Sequence, residues 1–302
     1  MKITRKMGTV SGDALIFGAM LFFGTYSLFI RLRPLPIFTY LLAFQIVGAM
    51  AFFIWAAFRK QKIRTDRILI PSFIGLAVSA TLNDLTYFYA FQETTVAKAA
   101  ISHQMVSVFL LALAPLVVKE RTTKREWGAM IFALFGIILL FSDKNVGSSK
   151  NDLLGIALGL TSAFFYACII LFYRRLQNEF QLSLTTINTW RYCLSAIFLL
   201  PFIPIMAAYS YTSTDFAVLV FFGVLFAVVA SGLHCLGMGM TKALHSSIIG
   251  KSEPVFAVFY AYLFLHETPA PPTIFGGVIV MAASLWLSMQ KEMPIAREVA
   301  AK

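Results

Sequence analysis

Pro36–Phe58 reads PIFTYLLAFQIVGAMAFFIWAAF, twenty-three residues without a charge, and Arg59-Lys-Gln-Lys-Ile-Arg64 follows with four basic residues in six. At 1.5 Å rise per residue such a run matches the ~30 Å hydrocarbon layer of a bilayer. In lipid every backbone N–H needs an internal partner, so the run has to be a helix. The same pattern recurs along the chain. Apolar runs are expected as helices at Asp13–Ile30, Ile68–Phe91, Thr95–Val118, Arg125–Ser142, Asp152–Tyr173, Ser183–Ala208, Asp215–Met240, Leu244–Leu265 and Pro272–Ser288. With Pro36–Phe58 they make ten spans. The first is too long for the apolar core of a signal peptide and lacks a convincing small-residue cleavage site.

Composition agrees. Of the 302 residues 59% are apolar and 13% charged, with 30 Phe and a mean hydropathy of +0.79. An ordinary soluble domain carries about 25% charged residues. Disorder is excluded by the low charge density, and no room is left for a soluble domain. The net charge of +11 would suggest nucleic acid in a soluble protein; here it sits between the runs and sets topology, so no nucleic-acid partner is expected. Eighteen Lys and Arg fall at the N-terminus, the 2–3, 4–5, 6–7 and 8–9 connections and the C-terminus, against five (Arg31, Arg33, Lys98, Lys144, Lys150) at the others. Positive residues stay inside, so both termini are expected in the cytoplasm of a multi-pass inner-membrane protein. Cys168, Cys193 and Cys235 are scattered in apolar runs, without disulfide or zinc spacing.

Two segments resemble each other. Ala114-Pro-Leu-Val-Val-Lys-Glu120, followed by Trp127-Gly128, parallels Ala261-Tyr-Leu-Phe-Leu-His-Glu267, followed by Phe275-Gly276-Gly277. Five spans per half is an odd number, so the second half must enter the membrane upside down. The expected fold is all-α: ten transmembrane helices as two inverted five-helix repeats, residues 1–145 and 146–302. Inverted repeats characterise transporters with a site at mid-membrane, and two related packings permit alternating access.

These features resemble the EamA-like branch of the drug/metabolite transporter superfamily. The residues that carry the resemblance are Glu120 and Glu267 closing helices 4 and 9, then Ala243, Glu253-Pro254, Leu265-His266-Glu267 and Gly276-Gly277. It spans about residues 13–288. The first half departs from the pattern: Ser107 stands where a Pro is expected in helix 4, and Ser102-His103-Gln104 is unusually polar. The resemblance implies export or exchange of small metabolites, often amino acids. It also implies a central cavity lined by helices 1–4 and 6–9, with helices 5 and 10 peripheral.

Polar groups inside apolar runs point to the site, because a charge at mid-membrane costs about 2.5–3.5 kcal/mol. Asn83-Asp84 in helix 3, with Tyr87 one turn on, reads as an amine or proton site, or as a helix–helix lock. His103 and Gln104 in helix 4 read as lining groups, and His103 as a candidate proton carrier. Lys251 and Glu253 are expected near the middle of helix 9, with Pro254 as a hinge that frees the Gly250 carbonyl. Glu253 leans structural; Lys251 reads as a carboxylate-binding cation. In Trp190-Arg191-Tyr192 of helix 7, Arg191 either snorkels or holds an anion. Tyr26, Tyr40, Tyr166 and His234 are further wall candidates, although such residues more often serve packing or the membrane interface. Glu120 and Glu267 read as structural.

No catalytic motif stands out. Ser231-Gly-Leu-His234 lacks an oxyanion hole and a second-helix partner, and neither a Walker loop nor H-E-x-x-H is present. No cofactor and no metal are called for. The reading is a secondary transporter of a small polar or amphipathic solute, an amino acid or derivative favoured, working by alternating access. A passive facilitator and, further off, an intramembrane enzyme are the alternatives. Gly128, Gly136, Gly276 and Gly277 could serve a homodimer through helices 5 or 10, or contacts within one chain.

Overall fold

The computed structural model describes residues 11–117, 124–141, 151–238, 240 and 249–289. The described residues are predominantly helical, with no strand among them. In chain order they are α1 (Gly12–Phe23), α2 (Tyr26–Leu32), α3 (Ile37–Phe58), α4 (Ile70–Glu93), α5 (Val96–His103), α6 (Val106–Val117) and α7 (Lys124–Phe141). Then follow α8 (Asp152–Asn178), α9 (Leu184–Leu199), α10 (Ile203–Ala207), α11 (Ser213–Gly223), a π-helical segment (Val224–Ala230), α12 (Ser231–Met238), α13 (Glu253–Leu265) and α14 (Pro271–Met289).

Helix starts are written locally. Ser11, Thr95, Asn151 and Ser183 each accept a first-turn N–H with the side chain, and Thr212 forms a capping box with Asp215. Such caps satisfy donors that a helix cannot satisfy itself. Seven rods are long and apolar enough to cross a bilayer: Gly12–Leu32, Ile37–Phe58, Arg67–Glu93, Val96–Leu113, Asp152–Asn178, Leu184–Ala207 and Ser213–Met238. Trp127–Leu139, Glu253–Leu265 and Pro271–Ala283 are apolar but shorter, so the expected ten full-length spans are met by length in seven cases. Large apolar side chains such as Ile54, Phe58, Ile131 and Phe275 stand exposed on the outside, as lipid-facing positions would.

Several rods are interrupted. Turns at Gly24–Thr25, Gln104–Met105 and Lys251–Ser252 separate α1 from α2, α5 from α6, and the helical residues 249–250 from α13. The π segment separates α11 from α12. The Thr25 hydroxyl donates to the Phe22 carbonyl at 2.7 Å, competing with the backbone ladder. Here the expectation of a helix over Leu244–Leu265 hinged at Pro254 is corrected. The chain turns at Lys251–Ser252, and Pro254 sits in the first turn of α13. A missing N–H costs nothing there.

Helix α7 lies along α14, and α4 along α8. A Cβ on Gly136 would collide with the Gly276 carbonyl and the side chains of Ile279 and Val280. Gly277 is packed just as closely against Ile101. Three of the four glycines considered for dimerisation are thus used within the chain.

The two ends differ. At one, Arg64 donates to the Phe180 carbonyl, and the Trp190 indole donates to the Arg64 carbonyl. At the other, three ion pairs join distant parts of the sequence. Arg31 meets Glu267 at 2.9 Å, Arg33 meets Asp215 at 2.7 Å and Lys98 meets Asp152 at 2.7 Å.

Candidate functional site

The helix interruptions deliver polar side chains to one interior region. Asp84, in the C-terminal half of α4, accepts from Asn83 Nδ2 at 2.9 Å and from Gln45 Nε2 of α3 at 3.2 Å. Arg191 of α9 brings Nη2 to 3.6 Å of Asp84, with its guanidinium over the Tyr192 ring at 4.7 Å. Tyr192 shares a hydrogen bond with Ser231, the first residue after the π segment. Gln45 Oε1, Asn83 Oδ1 and Arg191 Nε are buried and have no hydrogen-bond partner among the described residues.

A second group meets at the other two breaks. Lys251 Nζ donates to Ser107 Oγ at 2.9 Å and to Gln104 Oε1 at 3.3 Å. Glu253 lies within electrostatic reach of Lys251, Tyr26, Tyr87 and Tyr166. His103 hydrogen-bonds through Nδ1 to Ser162 Oγ at 2.8 Å. Its ring stacks on Tyr87 at 4.2 Å and meets Tyr166 at 5.3 Å. Tyr26 stacks on Phe226 at 4.0 Å and is also within reach of Asp84 and Arg191. Tyr26 and Tyr166 each interact electrostatically with both Asp84 and Glu253.

The structure brings Asn83, Asp84, Tyr87, His103, Gln104, Arg191, Lys251, Glu253, Tyr26 and Tyr166 into one network. It leaves others apart. Trp190 stacks on Phe73 and hydrogen-bonds at the Arg64 end; being next to Arg191, it projects about 100° away from it around α9. Tyr40 is fully buried and donates to the carbonyls of Phe29 and Arg33, tying down the end of α2. His234 packs edge-on against Phe23. Pro254 is buried at the start of α13. Glu267 accepts from Arg31 and, at 2.8 Å, from the Val96 N–H that opens α5. Burial pushes its carboxyl above the ordinary range, and those two donors pull the other way. Glu120 lies outside the described residues. Gln45 and Ser162 were not foreseen. Gln45 carries a readable signal, as the single amide in the twenty-two residues of α3. Ser162 carries none, since serine is common in apolar helices.

The EamA-like transporter family matches the chain twice, over residues 10–142 and 153–289. An uncharacterized transporter of Archaeoglobus fulgidus is 25% identical over 277 residues, covering 91% of this chain and 95% of the relative. The pseudopaline exporter CntI of Pseudomonas aeruginosa is 27% identical over 249 residues, 79% of this chain and 82% of its own. A solved crystal structure superposes with a TM-score of 0.64 over 93% of this chain and 99% of that one, at 13% identity, which speaks to the fold alone. Apolar rods of spanning length, charges gathered inside them and a family match over both parts lead to one conclusion: this chain is a multi-pass membrane protein, a transporter and not an enzyme, and belongs to the EamA-like transporter family of the drug/metabolite transporter superfamily.

Proposed function

We propose that the protein is a secondary transporter that carries a small polar or amphipathic metabolite, an amino acid or derivative favoured, across the cytoplasmic membrane by alternating access. Its ten helices form two inverted halves, residues 1–145 and 146–302, with both termini in the cytoplasm. One observation carries the reading. Gln104 and Lys251 touch, and they are 147 residues apart, the same offset that separates Glu120 from Glu267 in the two similar segments. The turns that break the two helices, Gln104–Met105 and Lys251–Ser252, obey it as well. Equivalent residues of two repeats meet only near the axis that relates them. The polar cluster thus lies where two interconverting halves would enclose a solute, and broken helices at that depth supply its polar groups.

The test is counterflow in proteoliposomes loaded with a panel of unlabelled amino acids and N-substituted derivatives. A carrier gives saturable uptake of labelled solute, accelerated by the same solute inside. Linear, unaccelerated flux would mark a passive facilitator. Solute conversion in detergent, with no second compartment, would mark an enzyme.

A further inference from the structure

The two polar groups of the cluster are not alike. Around Asp84 the charge is already answered, by two amides and a guanidinium. Lys251 Nζ donates only to the neutral oxygens of Gln104 and Ser107, and no carboxylate lies within ion-pair distance of it among the described residues. Glu253 accepts no hydrogen bond among the described residues, although Lys251 lies within its electrostatic reach. Both residues are half-buried and keep part of their surface accessible. Beside them a Cβ on Gly250 would meet nothing within 4 Å. A cation and an anion therefore stand within electrostatic reach without closing into an ion pair. Opposite charges left apart in a low-dielectric interior are costly, and one ligand carrying both charges answers both.

Resting on the transport reading above, we infer that Lys251 and Glu253 grip the head group of an α-amino acid, its carboxylate on Lys251 Nζ and its ammonium on the Glu253 carboxylate. The stacked rings of Tyr87, His103 and Tyr166 form the wall for the solute's side chain. Glu253 interacts electrostatically with both tyrosines. The Asp84–Arg191 pair is then a strut between α4 and α9 and not part of the grip.

The experiment titrates the purified full-length protein in detergent with phenylalanine, leucine, threonine and glutamate. The strongest binder is then compared with its decarboxylated amine and its deaminated acid; for phenylalanine these are phenethylamine and 3-phenylpropionate. Each analogue is expected to bind at least tenfold more weakly than the amino acid. Lys251→Met should weaken the amino acid at least tenfold but leave the amine within twofold. Glu253→Gln should do the same with the deaminated acid spared. Such pairing of residue with ligand group is a pattern that general damage to the fold does not produce. The inference is overturned if an analogue matches the parent, if Lys251→Met weakens the amine equally, or if none of the four amino acids binds. Should a variant not fold, the analogues on the unaltered protein decide. Counterflow of a solute lacking the α-amino acid head would sink this inference and leave the transport reading standing; absence of counterflow with any solute sinks the latter.

Discussion

At the scale of the residue, energy explains what could be foreseen. Asp84, His103, Arg191 and Lys251 announce themselves because a charged or titratable group is expensive in an apolar run. Their partners do not, since those depend on helix rotation and crossing. Ser162 hides because a neutral hydroxyl is common in apolar helices, whereas Gln45, the single amide of α3, stood in plain view. Trp190 and Tyr40 misled for the opposite reason: large amphipathic rings serve helix ends as readily as a cavity wall. The strut gives a residue-scale prediction. Arg191→Met leaves the Asp84 carboxylate buried with amides alone, and removing one partner of a buried pair typically costs about 3–5 kcal/mol. Thermal unfolding in detergent should show a large drop for Arg191→Met, largely recovered in the Asp84→Asn, Arg191→Met double variant. An unchanged melting temperature in the single variant would deny the pair any structural weight.

Among elements, length and hydropathy made the helices legible, whereas their interruptions were not. The break at Gln104–Met105 involves neither Gly nor Pro, so no local punctuation marks it. Pro254 gave a signal that was misplaced by one turn: proline is costly in a helix interior and harmless at its start, and the chain satisfies that rule by breaking before it. Close packing at Gly136 is testable at this scale. Gly136→Leu forces α7 away from the Gly276 carbonyl of α14, and overpacking costs about 1–3 kcal/mol. Lower thermal stability is expected, while Gly128→Leu, where an added Cβ meets nothing, should leave it unchanged.

On the scale of the molecule, the two ends are chemically distinct. Lys62 belongs to the basic segment and Thr268 to the turn beside Glu267. In a background with the three cysteines replaced, Lys62→Cys should react with an impermeant maleimide only from the cytoplasmic face, and Thr268→Cys only from the opposite face. Labelling of both from one side would refute the proposed topology. The ion pairs at the Thr268 end carry one more consequence, for synthesis. Arg31, Arg33 and Lys98 precede their acidic partners by 236, 182 and 54 residues. A ribosome that has delivered the first arginine to the bilayer must still make most of the protein before its counter-ion exists. On the proposed topology, those three cations await these partners on the side that carries few positive charges. The Arg33 and Arg31 pairs can close only once Asp215 and Glu267 have been translated, so this end of the bundle is locked late in synthesis.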